Sequence, residues 1–208
     1  MSRFTTTAAS FIITATIAAS AQAGIVSVAG ATVHLGVAPV AANPIALNGP
    51  LAFAWDEQQG VFVPPIPVNM LNNPGNSGAP VPGVYSNVVD SHMIHFAPHV
   101  APGFNAVGSV TFAANIVAVI WNDVFLNISD PFVGAGGTAY PTGNPMRGMS
   151  LPSALSVNTN VLQFNLWGVA GTLDFEQIRV LTERVPAPGP IALLGMASLV
   201  IARRRRTR

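Results

Sequence analysis

The chain of 208 residues contains no cysteine and no lysine. Without cysteine there is no disulfide and no thiolate metal site, so a domain of this chain must be held by its core, alone or with a bound ion. Charge of either sign is scarce, with nine arginines and eight acids. All eight acids (Asp56, Glu57, Asp90, Asp123, Asp130, Asp174, Glu176, Glu183) lie in the middle, whereas Arg3, Arg203, Arg204, Arg205, Arg206 and Arg208 lie at the two ends. Between residues 24 and 185 only Arg147, Arg179 and Arg184 oppose the acids, a net charge of −5 with histidine neutral. A phosphate-binding face needs clustered cations, so this distribution argues against a nucleic-acid partner. Glutamate is rare as well, which removes the usual residues of helix surfaces. In their place stand 18 prolines and 19 glycines, which disfavour helix interiors and fit turn-rich β structure.

What is present at the ends reads as addressing. Arg3, the apolar and small run FTTTAASFIITATIAAS, and Ala21-Gln22-Ala23 supply the cationic region, hydrophobic region and A-x-A cleavage site of a secretory signal peptide. Residues 1 to 23 are therefore expected to be removed by signal peptidase, with Gly24 as the first mature residue. At the other end Ile191 to Ala202 carries no charge, although its 12 residues fall short of the ~20 that cross a bilayer comfortably. Tilt and local thinning can accommodate a short span. Arg203, Arg204, Arg205 and Arg206 would stop transfer on the cytoplasmic side, leaving the body outside.

The order Val185-Pro186-Ala187-Pro188-Gly189, an apolar segment with a central Gly195, and a terminal arginine cluster resembles the PEP-CTERM sorting signal of bacterial exported proteins. Ala187 departs from the central Glu of that signature, giving a P-A-P variant. The resemblance covers residues 185 to 208 and implies processing by an exosortase, a membrane protease-transpeptidase of Gram-negative bacteria that make exopolysaccharide. It further implies a membrane-anchored precursor that ends in the cell envelope, at the cell surface or outside the cell, among polysaccharide.

Between the ends, residues 24 to 184 read as one exported domain of ordinary size. The clearest strand is Val161 to Trp167, where Leu162, Phe164 and Leu166 alternate with Gln163 and Asn165. Val110 and Phe112 begin another strand, which leads into the apolar run Ile116 to Ile120. Leu51 to Trp55 and Val61 to Val63 flank Asp56-Glu57-Gln58-Gln59-Gly60 and read as a hairpin. Leu173 and Phe175 alternate, but Ile178 and Val180 resume out of phase, so a bulge is expected near Glu176-Gln177. Asn72 to Gly83 and Gly134 to Gly148 are loops, and Asp123 to Ser129, bounded by Asp130-Pro131, is the one short helix. The expected fold is all-β, an antiparallel β-sandwich or jelly-roll-like domain flanked by a signal peptide and a C-terminal transmembrane sorting helix. Asp90-Ser91-His92 through Phe96, Gly108 to Ile120, Ser129-Asp130, Gly137-Thr138-Ala139-Tyr140-Pro141 and Glu176-Gln177-Ile178-Arg179-Val180 also resemble an uncharacterised domain recurring in exported PEP-CTERM proteins. That likeness supports a β domain over about residues 85 to 182 and implies no activity.

Chemistry-bearing residues are few. His92, His95 and His99 in HMIHFAPH, with His34, could suggest metal, but residues three apart on a strand face opposite ways, so no metal ligand set is assigned. Calcium, which takes carboxylate and carbonyl oxygens, is the better ion, with Asn122-Asp123, Ser129-Asp130, Asp56-Glu57 and Asp90 as candidate ligands in no EF-hand spacing. Asp174 and Glu176 share a strand face and could form an acid pair of a polysaccharide hydrolase. There is no HExxH, and G-x-S-x-G fails in Gly148-Met149-Ser150-Leu151-Pro152. No catalytic residue is therefore assigned, and the expectation is a protein that is not an enzyme. Trp55, Trp121 and Trp167 sit near strand ends, where rings can stack on sugars. The leading expectation is a non-catalytic structural or surface-interaction protein, with a carbohydrate-binding module as the alternative.

Overall fold

A computed structural model describes residues 24–71, 80–98, 105–168 and 175–184. All of them fall within one compact unit spanning residues 22–185. The expected signal peptide and sorting tail, including Ala21, Ala23, Val185, Pro186, Ala187, Pro188, Gly189 and Arg203 to Arg206, lie outside the described residues, as do His99 and Asp174. Among the described residues no helix is long and apolar enough to cross a membrane.

The chain forms eleven strands and one helix among these residues: β1 Ile25–Gly30, β2 Thr32–His34, β3 Ala52–Asp56, β4 Val61–Val68, β5 Met70–Leu71, β6 Gly83–Phe96, β7 Asn105–Phe112, β8 Ile116–Ile120, α1 Asp123–Val133, β9 Ala154–Asn158, β10 Val161–Trp167 and β11 Glu176–Glu183. They build two sheets. A four-stranded sheet has the order β1-β7-β10-β9, and a seven-stranded sheet the order β2-β3-β6-β11-β8-β5 with β4 also on β6. The expected all-β sandwich is thus present, with one parallel pair, β2 on β3, in an otherwise antiparallel arrangement.

Two cores explain the sequence pattern. Between the sheets lie Val110, Phe112, Leu162, Phe164 and Leu166 from the small sheet, and Ala54, Ile94, Val119, Ile178 and Val180 from the large one. The large sheet buries its other face too: Trp55, Val63, Val89, Met93, Ile120 and Leu181 pack with Leu126 and Val133 of α1 and with Ala42. Strands of a sheet covered on both faces lose the period-two signature. The small sheet keeps it, and β10 alternates buried and exposed residues along its length.

Three expectations are corrected. β11 has no bulge at Glu176-Gln177; it pairs with β6 without interruption from Glu176↔Phe96 to Glu183↔Val89, and its register shift lies at Leu181/Thr182 against β8. The out-of-phase pattern arises because residues 176 to 182 are all buried. β3 and β4 are not a hairpin. Both pair antiparallel with β6, β3 along His92 to His95 and β4 along Gly83 to Val89. The link between them stays on β6, with Glu57 N donating to Ser91 O at 2.8 Å and Ser91 N to Gln58 O at 2.7 Å. Gly60, at φ 62, completes the jog and donates its amide to Asp90 Oδ1 at 2.6 Å. β4 then runs on through Pro64, Pro65 and Pro67 with a shift between Val63 and Ile66, which a strand bonded on one side tolerates. Finally, α1 continues past Ser129 to Val133 with Pro131 inside it. Pro131 falls in the last turn, where its missing N–H removes a single helical bond. The helix starts as its sequence requires, Asn122 accepting from Val124 N at 3.0 Å and Phe125 N at 3.4 Å.

Candidate functional site

The densest polar chemistry lies between the large sheet and α1. Arg179 on β11 is fully buried, and all five of its N–H groups find acceptors. Nε and one Nη meet the Glu57 carboxylate at 2.7 and 2.8 Å, and that same Nη reaches Asp130 Oδ1 at 2.9 Å. The other Nη donates to Ser129 Oγ at 2.5 Å and to Leu126 O at 3.3 Å. Arg147 grips Asp130 through both oxygens at 2.5 and 2.8 Å, and donates to Asn127 Oδ1 at 2.9 Å and Gln177 Oε1 at 2.6 Å. Tyr140 lies under both guanidinium groups, its ring centroid 5.4 Å from Arg147 Cζ and 5.3 Å from Arg179 Cζ. Its hydroxyl donates to Glu57 and accepts from Ala135 N at 2.8 Å. Two arginines against two carboxylates leave the cluster neutral. Burial alone would raise the Asp130 pKa, but Arg147 and Arg179 hold it below the usual 3.8. For Tyr140, burial and the neighbouring Glu57 carboxylate push the pKa up. Every group is engaged by the protein itself, so the cluster fastens the helix layer to the sheet.

The same face carries His95. Its Nε2 donates to Leu47 O at 3.0 Å, and its Nδ1 lies 3.0 Å from Gln177 Nε2. The Gln177 amide cannot turn over, because its oxygen takes Arg147 and its nitrogen also donates to Ala42 O at 2.9 Å. Nδ1 must therefore accept, and only neutral imidazole can do so. Burial draws the His95 pKa down to about 4, with the Arg147 charge acting in the same direction.

On the opposite face of β6 stands a second constellation. His92 Nδ1 is 2.7 Å from Asp56 Oδ1, and Nε2 is 3.1 Å from Thr182 Oγ1. These are the links of a carboxylate–imidazole–hydroxyl relay. Both His92 and Thr182 are buried, however, and the Phe112 ring closes on His92 at 4.7 Å between centroids. A substrate has no approach to the hydroxyl in this arrangement. His92 and His95 point to opposite faces, as the strand spacing requires, and among the described residues no group of three His, Cys, Asp or Glu side chains could hold a metal. Most of the candidate calcium ligands have protein partners: Asp56 meets His92, Glu57 and Asp130 meet arginines, Ser129 accepts from Arg179, Asp90 accepts from Gly60 N, and Asn122 caps the helix.

Glu176, one member of the expected acid pair, does not face water, and its partner Asp174 lies outside the described residues. Glu176 is buried, accepting from Ser150 N at 3.1 Å, Ser150 Oγ at 3.3 Å and Ser153 Oγ at 2.6 and 2.7 Å. Burial pushes its pKa up to about 7, despite the donors from Ser153 and Ser150. Ser153 Oγ in turn accepts from Trp167 N at 2.7 Å, which anchors the end of β10.

Among the described residues the outer side of the four-stranded sheet is open to solvent. Gln163, Asn165 and Trp167 project from β10, with Asn105, Val107 and Ser109 opposite them on β7. Asn105 Nδ2 donates to Asn165 Oδ1 at 3.2 Å. A shallow groove of about 510 Å³ runs over this face, lined among others by Ala29, Ser109, Ser156, Gln163 and Asn165, with no charged residue in its lining. No family model, curated protein or solved structure matches the chain.

The three tryptophans separate on exposure. Trp167 is 39% exposed, Trp121 is half-buried against the inter-sheet core, and Trp55 is 0% exposed. Trp55 cannot stack on a sugar, because its ring fills the second core beside Met93. The buried clusters escaped the sequence reading, although one signal pointed to them. Ser91, Ser129, Asp130, Tyr140, Gln177 and Arg179 all belong to the short motifs noted above, and the fold gathers these six residues around Glu57 and Arg147.

Proposed function

We propose that the chain is an exported envelope protein whose β domain acts by display and contact, without catalysis. In this reading signal peptidase removes residues 1 to 23, and the tail from Val185 holds the precursor at the membrane until an exosortase processes it. One structural observation supports the non-catalytic part: among the described residues His92, His95, Glu176 and Thr182 are buried within the fold, while the open sheet face offers amides, hydroxyls, Val107 and Trp167. Intact mass of the protein from its native cell tests the addressing. A start at Gly24 and a mass lost from the tail are expected, and full-length protein in the cytosol would overturn the reading.

A second reading, contact with neutral polysaccharide, is favoured by that same face. Uncharged glycans are recognised by planar amides, hydroxyls and an exposed ring, and Gln163, Asn165 and Trp167 lie in one row. Affinity electrophoresis of residues 24–184 through gels loaded with exopolysaccharide should show retardation that Trp167→Ala removes at unchanged Tm. Equal mobility in loaded and empty gels rejects glycan contact. Release of reducing ends by that protein would instead support a hydrolase and end the non-catalytic reading.

A further inference from the structure

The start of β1 is fixed more firmly than the end of an edge strand requires. The Gly24 carbonyl accepts from Ala113 N at 3.0 Å, and the Ile25 amide donates to Asp56 Oδ1 at 3.1 Å. A Cβ built on Gly24 would stand 2.5 Å from Asp56 Oδ2, so this position accepts no side chain while Asp56 keeps its place. Cβ and the backbone nitrogen of one residue are about 2.5 Å apart by covalent geometry, which puts Gly24 N within about 5 Å of that oxygen. Asp56 is itself held by His92, and His92 by Thr182. The carboxylate therefore faces the backbone of residue 24 from a braced position.

We propose that Asp56 is the receptor for the α-ammonium of Gly24, released when the chain is cut after Ala23, so that export processing adds an ion pair to the fold. The proposal rests on the signal-peptide reading above. Hydrolysis of the Ala23–Gly24 amide puts the water oxygen on the Ala23 carbonyl carbon and leaves the Gly24 nitrogen as an amine, which takes up a proton at neutral pH. An uncharged peptide nitrogen thus becomes a cation beside a carboxylate. An opposite charge within ~4–6 Å favours the charged form of both groups. The other titratable groups near this carboxylate are His92 on β6 and His34 at the end of β2, with Asp90 on the same face of β6 and Glu57 next along the chain. Glycine suits position 24 because it places no Cβ against Asp56.

The test uses residues 24–184, which contain both cores, prepared with a free Gly24 amine, with that amine acetylated, and with the chain begun at Ala21. The Gly24 Cα shift is followed by NMR from pH 5 to 10, and thermal midpoints are recorded alongside. The amine should titrate about one pH unit above its ordinary ~7.7–8.0, a roughly tenfold preference for the ammonium. The free-amine protein should also melt above the acetylated and extended forms below pH 8, with the three converging near pH 10. Asp56→Asn should return the amine to its ordinary range. An unshifted amine in the unmutated protein overturns the proposal whether or not Asp56→Asn folds, and so does an acetylation effect that persists in that variant. The cut itself is read from native intact mass: a start other than Gly24 removes the export reading and the role given to the cut, and leaves the titration result standing.

Discussion

Two buried titrating groups of opposite sense, Glu176 and His95, should cancel in the pH profile of stability, and removing one should expose the other. Glu176 goes from 4.5 to about 7 on folding. Its folded pKa is raised, so its favourable contribution is complete below pH 4.5 and is lost as pH rises through 7. That interval, about 2.5 pH units at ~1.36 kcal/mol each, amounts to ~3 kcal/mol. His95 goes from 6.5 to about 4. A folded protein that refuses a proton the unfolded chain accepts loses stability as pH falls below 6.5, and by pH 4 this also reaches ~3 kcal/mol. Between pH 4.5 and 6.5 one effect rises as the other falls, so urea denaturation of residues 24–184 should give a nearly level profile. Asp56 and Asp130, both held below 3.8, lose their contributions only at more acid pH. In Glu176→Gln the profile should tilt, with stability falling by ~3 kcal/mol from pH 6.5 to 4. His95→Gln should tilt it the other way, with stability rising by a similar amount from pH 7 to 4.5. Only slopes are compared, so a constant cost of either substitution does not enter. A Glu176→Gln profile that matches the parent, or that rises toward acid pH, would refute the reasoning.

Three further outcomes are expected. Arg179→Met leaves Glu57 and Asp130 buried without that cation and should cost roughly 3–5 kcal/mol in urea titrations, a Tm drop on the order of 10 °C; a loss under ~1 kcal/mol would mean the cluster is not what fastens the helix layer. Asn122→Ala removes the acceptor for two helix amides and should cost ~1 kcal/mol, seen as faster amide exchange confined to the first turn of α1. Gly30 has φ 71, and a Cβ there would press on Val107 O and stand 2.9 Å from Gly108 Cα, so Gly30→Ala should cost about 1–3 kcal/mol in Tm-derived stability and disturb β1 NMR signals first.

Legibility from sequence followed the covering of each sheet. β10, with one face dry and one wet, announced itself through Leu162, Phe164 and Leu166. The start of α1 was readable from Asn122-Asp123 because capping is a local interaction. β11 misled, since Gln177, Arg179 and Leu181 face a second core that periodicity cannot reveal. The join of β3 and β4 misled for a related reason: Asp56 to Gly60 has hairpin composition, but its amides and carbonyls bond to β6, a partner far along the chain. Arg147 and Arg179 gave no sign of burial, because the carboxylates that make their burial tolerable come from residues 57 and 130.

β11 is the last described strand, and it is flanked by β6 along its whole length and by β8 along half of it. Tension entering from the tail end acts on this strand first. Antiparallel hydrogen bonds lie across the strand axis, so a tug along that axis strains the rungs on both sides together and cannot undo them one at a time. The end that is proposed to be tethered thus leads into a strand held on both sides, where a pull is shared across many rungs.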